Sequence, residues 1–235
     1  MTVTDFHSHI LPGIDDGSKS PEESIAMLRM AAQKGIRHMI ATPHFYPQYD
    51  TPAGFLEKRA AAAAQLQEEL AHHSDLPKIS LGAEVYFFYG MSESEALSQL
   101  TICQKRCILI EMPFVSWTDD MCRELERIYT QRGITPIIAH IDRYIRPWNA
   151  HGILRRLAQL PVLVQANADF FLERSTAPMA MRMLRADQIH LLGSDCHNTT
   201  SRKPELGLAV EQIRRKLGDG VIQRINDYEQ DVLGL

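Results

Sequence analysis

In Asp5-Phe6-His7-Ser8-His9 two histidines stand two residues apart. On an extended backbone both imidazoles leave the same face, close enough to grip one metal ion. Such a pair alone is equally well explained as polar strand surface. What gives it weight is repetition, because other candidate ligands follow short apolar runs: His44 after Met39-Ile40-Ala41, Glu84 after Ile79-Ser80-Leu81, and Glu111 after Ile108-Leu109-Ile110. His140 follows Ile137-Ile138-Ala139, and Asp195 and His197 follow Leu191-Leu192-Gly193-Ser194. A carboxylate directly behind an apolar strand, as at Glu111, is costly to bury without a cation. Asp15-Asp16-Gly17 is ordinary turn chemistry, and Asp16 joins the set because it adjoins the histidine pair.

His7, His9, Asp16, His44, Glu84, Glu111, His140, Asp195 and His197 are too many ligands for one four-coordinate ion, so two or three metals sharing bridging carboxylates are implied. Mixed nitrogen and oxygen donors without thiolate suit Mn, Fe or Zn. Close-set ions bind phosphate oxygens and lower the pKa of a bridging water, giving hydroxide near neutral pH. Arg143, three residues after His140, and Arg202, five after His197, can fork onto the remaining phosphate oxygens, although an arginine is more often a surface residue.

These ligands need strands that end on one face. Short β-branched and apolar runs recur at Val3-Phe6, Arg37-Ala41, Lys78-Leu81, Cys107-Ile110, Thr135-Ala139, Val162-Gln165 and His190-Leu192, which predicts about seven strands. Helical patterns lie between most of them, at Pro21-Lys34 after Ser20, Pro52-His72, Asp119-Arg132 after Thr118, Ala150-Gln159 and Pro178-Arg185. Glu205-Leu217 also reads as a helix, and the tail Gly218-Leu235 as structural. Alternation without a glycine-rich dinucleotide turn favours a closed parallel barrel, here a distorted (β/α)7 TIM-like barrel, whose strand C-termini form the active-site face.

The 235 residues show no composition break, which predicts a single domain over 1–235. A formal net charge of -4, from 25 basic and 29 acidic residues, supplies no field for nucleic acid or an anionic membrane. No long apolar run or signal-like start occurs, so the expectation is a cytoplasmic protein without membrane insertion. Cys103, Cys107, Cys122 and Cys196 make no paired motif and are expected as reduced thiols.

The stretches Asp-Phe-His-Ser-His-Ile-Leu-Pro-Gly-Ile-Asp-Asp-Gly, Ala-Thr-Pro-His, Gly-Ala-Glu-Val-Tyr, Leu-Ile-Glu-Met-Pro-Phe, Ile-Ala-His-Ile-Asp-Arg-Tyr and Gly-Ser-Asp-Cys-His-Asn occur in order between residue 3 and about residue 206. In these the chain resembles the PHP (polymerase and histidinol phosphatase) superfamily. Within it, the chain is similar to the bacterial metal-dependent protein tyrosine phosphatases encoded with capsular and exopolysaccharide export systems. The resemblance implies the PHP barrel fold and a trinuclear centre, with Mn2+ the first choice and Fe or Zn the alternatives. His7, His9 and Asp195 would hold one ion, Asp16, His44 and His197 a second, and Glu111 and His140 a third, with Glu84 bridging. It further implies that Arg143 and Arg202 bind phosphate, that a metal-bridging hydroxide is the nucleophile, and that the substrate is the phosphotyrosine tail of a membrane-associated tyrosine autokinase. The loops Phe45-Tyr49 and Val85-Tyr89 are more aromatic than the family pattern. Their rings can pack on a phosphotyrosine, although core or loop packing is the commoner role of any one.

Three other readings compete. Cys196 to Arg202 satisfies the C-x5-R spacing of thiolate phosphatases, but its five intervening residues include no glycine to let backbone N–H groups converge on phosphate. A small phosphate monoester such as histidinol phosphate would suit the same hydrolytic centre. A metal-binding domain without turnover is the third, and the full ligand set argues against it.

Overall fold

The computed structural model describes residues 3–145 and 150–234. The tail is therefore followed to Gly234, and Leu235 lies outside the described residues, as do Met1 and Thr2 at the other end of the predicted domain.

Among these residues nine strands form: β1 (Asp5–Ser8), β2 (His38–Ala41), β3 (His44–Phe45), β4 (Lys78–Leu81), β5 (Glu84–Tyr86), β6 (Cys107–Glu111), β7 (Thr135–Ile138), β8 (Leu163–Asn167) and β9 (Leu191–Gly193). Every pairing is parallel, in the orders β1-β2-β4 and β3-β5-β6-β7-β8-β9. The two sheets are one curled surface of seven staves. β2 runs into β3 through Thr42-Pro43, and β4 into β5 through Gly82-Ala83. Backbone bonds span both breaks, Gly82 N–H donating to the Ala41 carbonyl (2.9 Å) and Glu84 N–H to that of Pro43 (3.0 Å). β9 returns to β1, where Asp195 N–H donates to His7 O (2.7 Å) and His9 N–H to Cys196 O (2.9 Å). This is the distorted (β/α)7 barrel expected, with two staves bent where His44 and Glu84 begin their second halves.

Helices cover the outside. α1 (Pro21–Gln33), α2 (Pro52–Leu70) and α3 (Asp119–Arg132) start with Ser20, Thr51 and Thr118, each of whose hydroxyls accepts a backbone N–H of the first turn. α4 (Ala150–Leu157), α5 (Ala168–Leu172), α6 (Ala177–Arg185), α7 (Leu206–Leu217) and α8 (Asp219–Leu233) follow. The departure from alternation lies between β5 and β6, where Met91–Glu93, Glu95–Leu100 and Ile102–Gln104 form 3-10 turns. None of the helices is long and apolar enough to cross a membrane, among the described residues.

The barrel interior is apolar at one end and polar at the other. Cys107, Leu109 and Glu111 share one face of β6 by the strand period of two. The first two pack in a cluster with Phe6, Ile40, Ile137, Leu191 and the α8 residues Val232 and Leu233, while Glu111 emerges among histidines. In β8, Leu163 gives way to Gln165 and Asn167 in the same manner.

Candidate metal centre

All nine residues singled out in the sequence meet at the strand C-termini. Three histidines are held from behind with Nε2 turned inward. His7 Nδ1 lies 3.2 Å from Gln165 Oε1, His9 Nδ1 2.7 Å from Asp15 Oδ2, and His197 Nδ1 2.9 Å from the Asp195 carbonyl. Each contact fixes the proton on Nδ1 and leaves Nε2 as a donor of electrons, the usual support of a metal-ligating imidazole. In that state His7 Nε2 and His9 Nε2 face one another at 3.2 Å, two lone pairs that a bound cation, or a proton carried by one of the rings, would reconcile.

Glu84 is the focus. Its Oε2 has His44 Nδ1 at 2.9 Å, His7 Nε2 at 3.1 Å and His9 Nε2 at 3.3 Å, yet none of them meets it with hydrogen-bond geometry, and that oxygen is a buried, unsatisfied atom. His140 Nε2, by contrast, meets Glu84 Oε1 in hydrogen-bond geometry (2.9 Å) and lies 3.5 Å from Glu111 Oε1. His197 Nε2 is likewise buried and unsatisfied, 3.3 Å from Asp16 Oδ1. Close approach without bonding geometry is what ligands arranged around ions look like.

Charge gives the same answer. Asp15, Asp16, Glu84, Glu111 and Asp195 stand against the two guanidiniums of Arg143 and Arg202. With neutral imidazoles, three negative charges remain uncompensated in a largely buried space. Burial would raise Glu84 and Asp195, but the histidines around them hold both well below the usual carboxylate range. Burial would lower His9 and His140, but their carboxylate partners raise His9 well above its ordinary value and His140 to about 9. Three sets of donor atoms lie close enough to share ions: His9, Asp16, His44 and His197; His7, His9 and Asp195; and His44, Glu84 and Glu111. The site thus fits divalent metal ions.

The backbone is shaped for this. His140 (φ +33°) and Asp195 (φ +52°) occupy the left-handed region, costly for residues with a side chain. Gln165 Oε1 accepts from His140 N–H at 2.7 Å and so secures the first. A Cβ on Gly193 would lie 2.5 Å from the His7 Cβ, so β9 approaches β1 this closely only with glycine there.

Both arginines flank Asp195, Arg143 pairing with Oδ2 and Arg202 with Oδ1 (2.8 Å). Each is about one third exposed, so the guanidiniums border the site and remain reachable. The thiolate alternative does not fit. Cys196 is fully buried in the apolar core, and burial pushes its thiol far up. The N–H groups of Thr200, Ser201 and Arg202 all donate to Asn198 Oδ1 (2.8 to 3.1 Å), so none is available to cradle phosphate over the sulfur. The four cysteines are free thiols.

The aromatic loops divide. Phe45 and Phe87 are core, while Tyr46 stacks on His44 (5.0 Å between ring centres) with its hydroxyl 3.4 Å from Glu111 Oε2. Sequence reasoning passed over Asp15, Gln165 and Asn167. Asp15 orients His9 and accepts from His44 N–H (3.1 Å). Gln165 bonds His7 and His140, and Asn167 Nδ2 donates to Asp195 Oδ2 (3.0 Å). A polar pair at the end of an otherwise apolar strand was the available signal for the last two.

The fold and this site define a class, PHP-like parallel β/α barrels with imidazoles and carboxylates gathered at the strand ends. The family model for capsular polysaccharide synthesis, CpsB/CapC, matches residues 3–231, and the chain belongs to that family. It is 33% identical over 226 residues to the tyrosine-protein phosphatase CpsB of Streptococcus pneumoniae, covering 92% of this chain and 91% of that one. It is 31% identical to the tyrosine-protein phosphatase YwqE of Bacillus subtilis (strain 168), covering 92% and 85%. The crystal structures described as YwqE from Bacillus subtilis and CpsB from Streptococcus pneumoniae, unique metal-dependent tyrosine phosphatases, provide a match with a TM-score of 0.86 at 26% identity, covering 99% of this chain and 94% of that one. Histidinol phosphate phosphatase from Lactococcus lactis subsp. lactis, with a TM-score of 0.55 at 17% identity over 95% of this chain and 94% of that one, shares the fold.

Proposed function

We propose that this protein is a metal-dependent protein tyrosine phosphatase that removes phosphate from the tyrosine-rich tail of a membrane-associated autokinase, acting in the cytoplasm in control of capsular or exopolysaccharide synthesis and export. The observation that carries the reading is the convergence of His7, His9 and His44 on Glu84 Oε2 without hydrogen-bond geometry, in a chain of the CpsB/CapC family.

His7, His9 and Asp195 would hold one ion, Asp16, His44 and His197 a second, and Glu111 with His140 a third, Glu84 lying between. The close approaches of His44 to Glu84 and of His9 to both neighbouring groups support shared ligands. Mn2+ is the proposed ion. Such ions supply Lewis acidity toward phosphoryl oxygens and a water acidified to near neutrality. The chain's own part is positional and electrostatic. Gln165, Asp15 and the Asp195 carbonyl keep three Nε2 atoms aimed inward. Arg143 and Arg202 move from Asp195 onto the phosphoryl oxygens, where charge-assisted bonds gain strength as negative charge builds. Tyr46, whose hydroxyl is raised by burial and by Glu111, Glu84 and Asp16 beside it, stays protonated and can donate.

The test is hydrolysis of a phosphotyrosine peptide by the purified protein, with chelator and with Mn2+ restored. Loss and recovery are expected. Chelator-resistant hydrolysis that disappears in Cys196→Ser would overturn the reading for the thiolate one, and a strong preference for histidinol phosphate over the peptide would reassign the substrate.

A further inference from the structure

The most exposed large hydrophobic side chains among the described residues gather at one end of the molecule, while the less exposed Tyr129 and Leu208 lie on the outer helices α3 and α7. Tyr49, Tyr89, Phe114 and Val115 are all more than 60% exposed, and all lie on loops that leave strand C-termini around the histidine cluster. Phe114 stands three residues beyond Glu111, on the loop between β6 and α3. Its ring lies 6.4 Å from that of His140 with the planes only 12° apart, and 5.4 Å from that of Tyr144.

This loop is built to hold the ring where it is. The Tyr144 hydroxyl donates to the Met112 carbonyl and accepts from the Met112 N–H, both at 2.9 Å. Buried Trp117 also meets Tyr144 edge-on, at 5.3 Å. Val115 N–H closes a tight turn onto the Pro113 carbonyl (2.8 Å), with Phe114 at its tip. An apolar ring fixed by its neighbours and left exposed is preorganised for a ligand, because little freedom is lost when something packs on it. Tyr49, on the loop after β3, borders a separate cleft of about 320 Å³ that also contains Asp16 and His44 of the cluster and the Asp50–Lys58 ion pair (2.6 Å).

We infer that Phe114, with Val115 beside it, is an aryl-binding lip: it packs on the phenyl ring of a phosphate monoester whose phosphoryl group sits between Arg143 and the histidine cluster. The inference rests on the phosphatase reading above and adds how an aryl ester is chosen over an alkyl one. Arg143 ends the 3-10 turn Ile141–Arg143 that follows β7, beside His140, on whose ring Phe114 lies, and in this reading a phosphoryl group held there directs its ester oxygen toward the loop that carries Phe114. A phenyl ring there gains offset or edge-to-face contact with Phe114, and a serine or sugar ester reaches no comparable surface.

The experiment is calorimetric titration of the Mn2+-loaded protein with phenylphosphonate and methylphosphonate, which bind without turnover, in wild type, Phe114→Ala, Phe114→Tyr and Tyr49→Ala, each first shown to unfold at the wild-type temperature. Wild type and Phe114→Tyr should bind the phenyl compound roughly three- to tenfold more tightly than the methyl one. Phe114→Ala should bring that ratio close to one while leaving methylphosphonate affinity unchanged. A ratio that survives Phe114→Ala overturns the lip, and a ratio lost only in Tyr49→Ala moves the aryl site to the cleft beside Tyr49. Equal affinities in wild type also overturn it. Failure of the phosphatase reading shows separately, as absent turnover of the phosphotyrosine peptide in a protein that still separates the two phosphonates.

Discussion

Two buried glutamates at opposite ends of the barrel have opposite acidities. Glu84 and Glu229 are each at most 5% exposed. Burial raises both, yet Glu84 ends well below the ordinary value and Glu229 rises to about 8. The difference is company. Around Glu84 stand His7, His9, His44 and His140. Glu229, on α8, has the Thr4 N–H on its two oxygens (3.0 and 2.9 Å) and the Asp5 carboxylate nearby, which raises it further. One end of the barrel neutralises its acid with a proton, while the other surrounds its acid with groups that require cations. Burial of a carboxylate therefore marks no site by itself. Converging electron-pair donors do.

The largest test of this contrast substitutes the two acids in turn. Glu84→Gln should lower turnover of a phosphotyrosine peptide by about 10³-fold or more, since it removes the charge shared by the proposed ions. Glu229→Gln should leave turnover unchanged. Initial rates of both variants at saturating Mn2+ decide it, and equal losses would erase the distinction.

Glu229 has its own signature in stability. Its folded pKa of about 8 stands above the ordinary 4.5. Between these values the folded chain keeps a proton that the unfolded chain has lost, so this contribution is complete below pH 4.5 and disappears as pH rises through 8. The decline is on the order of a few kcal/mol. Urea midpoints across the window should fall in wild type and stay flatter in Glu229→Gln, which has no charge to bury. Identical slopes would mean that Glu229 does not hold its proton.

At the polar end a smaller effect is expected from the arginines. Arg202→Ala should lower kcat/KM by roughly 10- to 100-fold through the loss of charge-assisted bonds to phosphate, with metal content by elemental analysis unchanged. Loss of metal together with activity would instead make Arg202 a support for Asp195, the residue it pairs with at 2.8 Å.

Much of this end was legible because the placement of its polar residues obeys a local rule: an apolar run, then a histidine or carboxylate. His44, Glu84, Glu111 and His140 all follow it. Helix starts were legible for a similar reason, Ser20 and Thr118 being caps whose effect is confined to one turn. What escaped depends on partners remote in sequence. Gln165 earns its place by contacts with His7 and His140, and Phe114 by rings at His140 and Tyr144. The breaks at Thr42-Pro43 and Gly82-Ala83 escaped because the barrel's curvature, not the strand pattern, imposes them. The 3-10 turns over 91–104 carry no helical period, and Cys103 and Gln104 adopt positive φ without glycine.

The smallest effect separates two chemistries that share one short stretch of sequence. Cys196 and His197 are adjacent, yet they serve different ends of the contrast drawn above: His197 Nε2 faces Asp16 across the cluster, while the Cys196 thiol is shut in the apolar core. Cys196→Ser exchanges a weakly polar sulfur for a hydroxyl that must find a partner or remain unsatisfied, a cost of about 1–3 kcal/mol in stability. Turnover should be unaffected, because the backbone at this position, His9 N–H on the Cys196 carbonyl, does not depend on the side chain. Thermal unfolding and peptide hydrolysis measured on the same preparation read both quantities. A less stable, fully active Cys196→Ser protein places the sulfur in the fold and the chemistry in the histidines. An inactive protein of wild-type stability would place the chemistry in the sulfur and leave the cluster around Glu84 to be explained by folding alone.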